Sequence, residues 1–95
     1  MSYKLKFIPT AYKEWKKLDP AIQFQFKKKL KERLITPHVP GSQLSGFKNH
    51  YKIKLRASGY RLVYEVVDQE LFVFVIAIGK REKKSVYKRV NRRSS

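Results

Sequence analysis

The stretch Tyr51-Lys52-Ile53-Lys54-Leu55-Arg56, then Ala57-Ser58-Gly59, then Tyr60-Arg61-Leu62-Val63-Tyr64-Glu65-Val66-Val67 decides the fold. Tyr51, Ile53 and Leu55 alternate with cations, the period-two pattern of a strand with one apolar and one basic face. Ala57-Ser58-Gly59 supplies turn chemistry. In the second strand Tyr60, Leu62, Tyr64 and Val66 share one side. The two apolar sets must share a face, because a one-residue slip turns every side chain over. Setting Leu55 opposite Tyr60 and Ile53 opposite Leu62 achieves this. Lys54 then faces Arg61, and Lys52 faces Val63. A two-residue shift changes these partners and keeps the faces. Either way Lys52, Lys54 and Arg61 share one side, and like charges opposite one another destabilise a sheet. An anion seated there would offset the repulsion. A solvated edge strand whose lysines block aggregation is the simpler alternative. Arg61 weighs against it, since its only nearby acid is Glu65.

Outward from the hairpin, Asp68-Gln69 reads as a two-residue turn. Leu71 to Ile78 is apolar throughout and predicts a central strand buried on both faces. After Gly79 comes a basic segment with Val86, Tyr87 and Val90, read as a short helix. On the N-terminal side, Tyr3, Leu5 and Phe7 alternate with lysines and predict a half-buried strand. Pro9 is expected to stop it, with Thr10 capping a helix whose inner face carries Ala11, Trp15 and Leu18. Asp19-Pro20 reads as the cap and first-turn proline of a second helix. Ile22, Phe26, Leu30 and Leu34 form its apolar stripe, and Thr36-Pro37 ends it. Residues 37–47 read as a loop. The expected fold is α+β, a small antiparallel-rich sheet with two N-terminal helices packed on one face and a short C-terminal helical segment.

At 95 residues the chain is expected to be a single domain over 1–95, with 91–95 frayed. The net charge is +16. It divides as +7 over residues 1–36, +4 over 37–60, −2 over 61–79 and +7 over 80–95, so the excess is not a tail effect. Basic groups interleaved with apolar ones make a charged folded surface, and a polyanion is the obvious partner. Cysteine is absent, which removes disulfides, thiolate metal sites and a cysteine nucleophile. Two histidines are too few for a His-rich metal site, so neither a metal nor another cofactor is expected. No apolar run approaches a membrane span, and Met1-Ser2-Tyr3-Lys4 opens no signal-peptide core. The expectation is a cytoplasmic protein without a membrane partner that meets nucleic acid.

The hairpin together with Gly79-Lys80-Arg81-Glu82, Tyr87, Trp15-Lys16-Lys17-Leu18 and the lysine-rich second helix closely resembles the RelE toxins of bacterial toxin–antitoxin pairs. The likeness runs through nearly the whole chain, in order and without large gaps. It implies a RelE/ParE-like fold, akin to the microbial ribonucleases. It also implies an endoribonuclease that enters the vacant ribosomal A site and cuts mRNA there, inhibiting translation. The ribose 2′-OH attacks, leaving a 2′,3′-cyclic phosphate and a 5′-OH. The implied catalytic residues are Lys52, Lys54, Arg61, Arg81 and Tyr87. The implied partners are a RelB-like antitoxin, the ribosome with its 16S rRNA, and A-site mRNA. DNA is met only indirectly, through the antitoxin and operon autoregulation. One departure is the polar run Arg89 to Ser95, where family members can end in a more apolar helix.

The chemistry can be examined without the family. Cleavage by the 2′-OH needs a base, cations to stabilise the phosphorane, and a proton for the leaving oxygen. His38, in a Pro-flanked loop, and His50 read more readily as surface residues than as catalysts. Glu65 reads as relief for the basic face. A cationic site remains. Neighbouring cations lower a lysine's pKa from its usual ~10.4. By resemblance Lys54 is the base, Lys52 assists and Arg81 serves the leaving group. Arg61 offers the phosphate a planar fork. Tyr87 stacks on a base or orders the phosphate. Lys27, Lys28, Lys29, Lys31, Lys80, Lys83 and Lys84 would bind ribosomal RNA phosphates. Two alternatives stand beside this reading: a non-catalytic rRNA-binding module, and a gyrase-inhibiting toxin of the ParE group with the same fold.

Overall fold

In the computed structural model, which describes residues 2–80 and Val90, the chain begins with β1 (Lys4–Phe7), α1 (Pro9–Lys16) and α2 (Pro20–Ile35). A 3-10 turn (Pro40–Ser42) leads to β2 (His50–Leu55), β3 (Tyr60–Val67) and β4 (Phe72–Lys80). The sheet order is β1-β4-β3-β2, with β1 parallel to β4 and the other pairs antiparallel. The expected α+β class holds. The partner of β1, which the alternation of Leu5 and Phe7 left open, is the parallel strand β4. The C-terminal helical segment lies outside the described residues except Val90, which is helical and fully buried.

The β2–β3 register is the expected one: Leu55 faces Tyr60, Ile53 faces Leu62, Lys54 faces Arg61 and Lys52 faces Val63. The apolar side of the sheet meets both helices. Ala11, Trp15, Ile22, Phe26 and Leu30 from the helices form one core with Ile53, Leu62, Tyr64, Val66, Val73, Val75 and Ile78. Trp15 anchors this layer, its ring 5.3 Å from Phe7 and 6.4 Å from Phe26. The opposite side of the sheet carries no described helix beyond Val90. Its smaller cluster joins Leu44, Val63, Ile76, Ala77 and Val90.

Four local expectations are corrected. Pro9 does not merely stop the strand but opens α1, where its missing N–H costs nothing, and Thr10 sits inside the first turn without capping it. Asp19 is at the N-cap of α2, but no side-chain cap bond forms; its carbonyl accepts the N–H groups of Ile22 and Gln23 at 2.9 and 3.0 Å. The β3–β4 turn spans residues 68–71, not two, with Leu71 left-handed at φ 57°. Finally, β4 is not a plain two-faced strand. A bulge lets Val63 pair with Ala77 while Tyr64 pairs with Val75, so Ile76 is extra. Ile76 and Ala77 therefore both join the helix-free side, and Ile78 returns to the main core.

β1 pairs with the outer edge of β4 only as far as Val75. Glu14 of α1 covers that edge, its Oε1 accepting the Ile78 N–H at 3.1 Å.

Candidate functional site

The basic side of the β2–β3 hairpin is the side opposite α1 and α2. Lys54 is exposed and Lys52 half-buried on the edge strand β2, while Arg61 on β3 is buried, 8% exposed. Arg61 lies between Lys54 on one neighbour and Gly79 on the other. Three of the five expected catalytic residues are thus brought together on one face. Arg81 and Tyr87 lie outside the described residues, as do Lys83 and Lys84. Val90 is buried in the cluster that contains Val63, the residue opposite Lys52. Val90 therefore lies on this same side of the sheet.

The two histidines separate. His38 is on the surface as expected, with Nε2 2.7 Å from Asp68 Oδ1 and Nδ1 2.9 Å from the Tyr51 hydroxyl. Tyr3 donates its hydroxyl to the same Asp68 oxygen at 2.7 Å. These bonds hold the Asp68 carboxyl below its ordinary value, His38 first and Tyr3 second. Tyr3 is raised in turn by its bond to Asp68. His50 is not a surface residue: it is 4% exposed. Its Nδ1–H donates to the Lys48 carbonyl at 2.7 Å, and its ring lies 5.3 Å from Phe47. Glu65 pairs with His50 at the far end of the hairpin, not with Arg61.

The expected RNA-binding lysines of α2 do not form one surface. Lys27 and Lys31 rim an apolar hollow of about 240 Å³ floored by Leu5, Phe7, Trp15, Leu30 and Leu34. Lys28 lies over the exposed ring of Phe24 at 5.5 Å. Lys29 alone leans toward β2, beside a cavity it shares with Arg33, Lys52, Lys54 and Arg56. Lys80 sits over the Tyr60 ring at 5.5 Å, and Tyr60 packs against the helix-side core. It is therefore off the Lys54–Arg61 face.

Arg33 is the residue that the sequence reading missed. Its Nη1 donates to the Tyr64 hydroxyl at 2.8 Å and to the Lys52 carbonyl at 3.4 Å, and its Nη2 to Ser42 Oγ at 3.2 Å. The buried Tyr64 hydroxyl donates onward to the Pro37 carbonyl at 2.7 Å. Burial pushes the Tyr64 hydroxyl up, with Arg33 acting against the rise. A signal was available. Arg33 follows Leu30 by three residues, which places a charge beside the apolar stripe of α2.

This arrangement can grip a phosphodiester against two lysines and an arginine without metal ligands. The family described as "ParE toxin of type II toxin-antitoxin system, parDE" matches residues 5–84. The chain is 52% identical over 87 residues to the mRNA interferase toxin RelE of Escherichia coli, covering 92% of each. An arginine double mutant of E. coli toxin RelE in the free state superposes with a TM-score of 0.91 at 48% identity, covering 98% of both chains. RelE in the intact E. coli RelBE toxin–antitoxin complex gives 0.82 at 51% identity, covering 83% of this chain and 96% of that one. A family match over most of its length, and relatives near half identical across nearly all of theirs, lead to one conclusion: the chain belongs to the RelE/ParE family of toxins, on its RelE side.

Proposed function

We propose that this chain is the toxin of a type II toxin–antitoxin pair, an mRNA interferase that cuts message in the ribosomal A site by attack of the ribose 2′-OH. The observation that carries the reading is Lys54 standing directly opposite Arg61, beside Lys52, on the helix-free face of a RelE-type fold. Lys54 takes the 2′-OH proton, with Lys52 assisting. Arg61 holds the scissile phosphate and stabilises the charge that builds on its oxygens. Arg81 and Tyr87, outside the described residues, complete the set by resemblance, on the leaving-group side and against a base.

These groups bring little acid–base power of their own. The ribosome supplies the rest by holding the codon with the 2′-OH in line. The whole span 1–95 acts as one toxin domain in the cytoplasm, and no described helix is long and apolar enough to cross a membrane. A RelB-like antitoxin is its inhibitor and carries the pair to DNA.

Primer extension on programmed ribosomes and on the same message free in solution tests this. Cleavage is expected only on ribosomes with an open A site. Equal rates on free and ribosome-bound message overturn it. The ParE description of the matching family favours a second reading, inhibition of gyrase. A supercoiling assay separates the two, since an mRNA interferase leaves gyrase unaffected.

A further inference from the structure

β2 is an edge strand of the sheet. Successive residues of such a strand turn their carbonyls alternately toward the partner strand and away from it. The Val66 N–H donates to the Asn49 carbonyl at 2.9 Å, which turns the carbonyls of Tyr51 and Ile53 toward β3 and those of His50, Lys52 and Lys54 outward. Lys54 and Arg61 thus oppose one another in a pair without mutual backbone hydrogen bonds, the kind in which side chains come closest. Two cations opposed in this way weaken the hold of β2 on β3. An edge strand loaded like that needs support from its outer side.

Two of the outward carbonyls have it. The Leu44 N–H donates to the His50 carbonyl at 2.8 Å, and Arg33 Nη1 donates to the Lys52 carbonyl at 3.4 Å. Arg33 is itself fixed. The same Nη1 donates to the Tyr64 hydroxyl at 2.8 Å, and Nη2 to Ser42 Oγ at 3.2 Å. The Tyr64 hydroxyl continues to the Pro37 carbonyl, and the Tyr64 ring stacks at 5.7 Å on Tyr51, the residue before Lys52. One guanidinium so joins α2, the 3-10 turn, β3 and the β2 edge.

Among the described residues no carboxylate lies within ion-pair distance of Arg33. Its donors go to a phenol, a hydroxyl and a carbonyl, which is the use of an arginine as a tie rather than as a charge. A lysine's compact ammonium does not span acceptors set apart in this way, whereas a rigid planar fork does.

We propose that Arg33 is a positioning residue for cleavage: its tie to the Lys52 carbonyl holds the β2 edge, and with it Lys52 and Lys54, against the repulsion from Arg61. The proposal rests on the mRNA-interferase reading and adds to it a residue that acts through the backbone of another.

The test compares Arg33→Met and Arg33→Lys with wild type in the full chain. Ile22→Val, in the core at the other end of α2, is the control for lost stability alone. Single-turnover cleavage of message in programmed ribosomes is followed over a range of protein concentrations, which separates the rate at saturation from the half-saturating concentration. Both Arg33 variants are expected to lower the saturating rate about 10–100-fold, the cost of a small misplacement of reacting groups, and to move the half-saturating concentration less than about threefold. Ile22→Val is expected to keep the wild-type rate. Amide hydrogen exchange at Ile53 and Leu62, which face each other across β2 and β3, is expected to quicken in Arg33→Met as the edge loosens. A saturating rate within about threefold of wild type in Arg33→Met overturns the proposal. So does a loss confined to the half-saturating concentration, which makes Arg33 a ribosome contact. Full activity in Arg33→Lys overturns it too, because charge alone then suffices. If Arg33→Met does not fold, Ser42→Ala decides, since Ser42 lies outside both apolar clusters. It removes one bond of the tie and is expected to lower the saturating rate about fivefold; an unchanged rate overturns the proposal. A wild-type protein that cuts ribosome-bound message no faster than Arg33→Met loses the proposal and keeps the function. A wild-type protein that cuts none loses both.

Discussion

Arg61 is a cation buried in the sheet, 8% exposed. In the sheet it stands between Lys54 of β2 and Gly79 of β4. Tyr64, on β3's other side, does a different job. Its hydroxyl ties Arg33 of α2 to the Pro37 carbonyl. Tyr64→Phe leaves the half-buried Arg33 and the buried Pro37 carbonyl each short of a bond and is expected to cost about 1–3 kcal/mol in denaturant unfolding. A variant as stable as the parent would show that the Arg33 tie is dispensable. Asp68 belongs to the same scale. Its carboxyl is held low by His38 and then Tyr3. A depressed carboxyl stabilises the fold above its unfolded value near ~4 and loses that contribution as pH falls through the lower folded value. Asp68→Asn is therefore expected to flatten the acid limb of the Tm-against-pH curve below about pH 4. An unaltered limb would contradict this.

Among the elements, α2 has the widest division of labour. Phe26 is fully buried in the main core while Phe24, two residues earlier, is 61% exposed. Phe26→Ala is expected to cost about 3–5 kcal/mol by leaving a cavity, and Phe24→Ala to stay within about 0.5 kcal/mol. Urea unfolding of the two variants measures the difference, and equal losses would put the core on the wrong face of the helix. The inward stripe of α2 was legible because Ile22, Phe26 and Leu30 repeat every four residues. Its lysines were not, because Lys27, Lys28 and Lys29 are consecutive and so point three ways around a helix. The β2–β3 register was legible to the residue, since strict alternation leaves one pairing that keeps both apolar sets together. In β4 there is no alternation to read. Apolar residues on both faces hide the bulge at Ile76, and the partner of a four-residue strand such as β1 is decided by tertiary packing. That Lys54 and Arg61 stand opposite one another was legible because both ride on the hairpin. Arg33 did not, because its role depends on a tyrosine hydroxyl 31 residues away.

At the scale of the whole molecule, charge is expected to govern encounter. A net +16 draws RNA and an acidic antitoxin alike. Association with an acidic antitoxin is expected to be fast at low salt and to slow steeply as salt rises, as stopped-flow mixing would record. A salt-independent rate would assign recognition to apolar contacts, with the Lys27–Lys31 hollow the first place to look.

The central claim is that cleavage depends on the cations of the hairpin face, while the helix lysines only bind. Single-turnover cleavage of message in programmed ribosomes, at saturating protein, separates the two. Arg61→Ala is expected to lower the rate by about 10²–10³, the worth of one donor to a developing oxyanion. Lys28→Ala, beside Phe24 on α2, is expected to leave that rate unchanged. A full rate for Arg61→Ala, with the loss falling instead on Lys28→Ala, would put the chemistry on the helical side of the sheet and contradict the account.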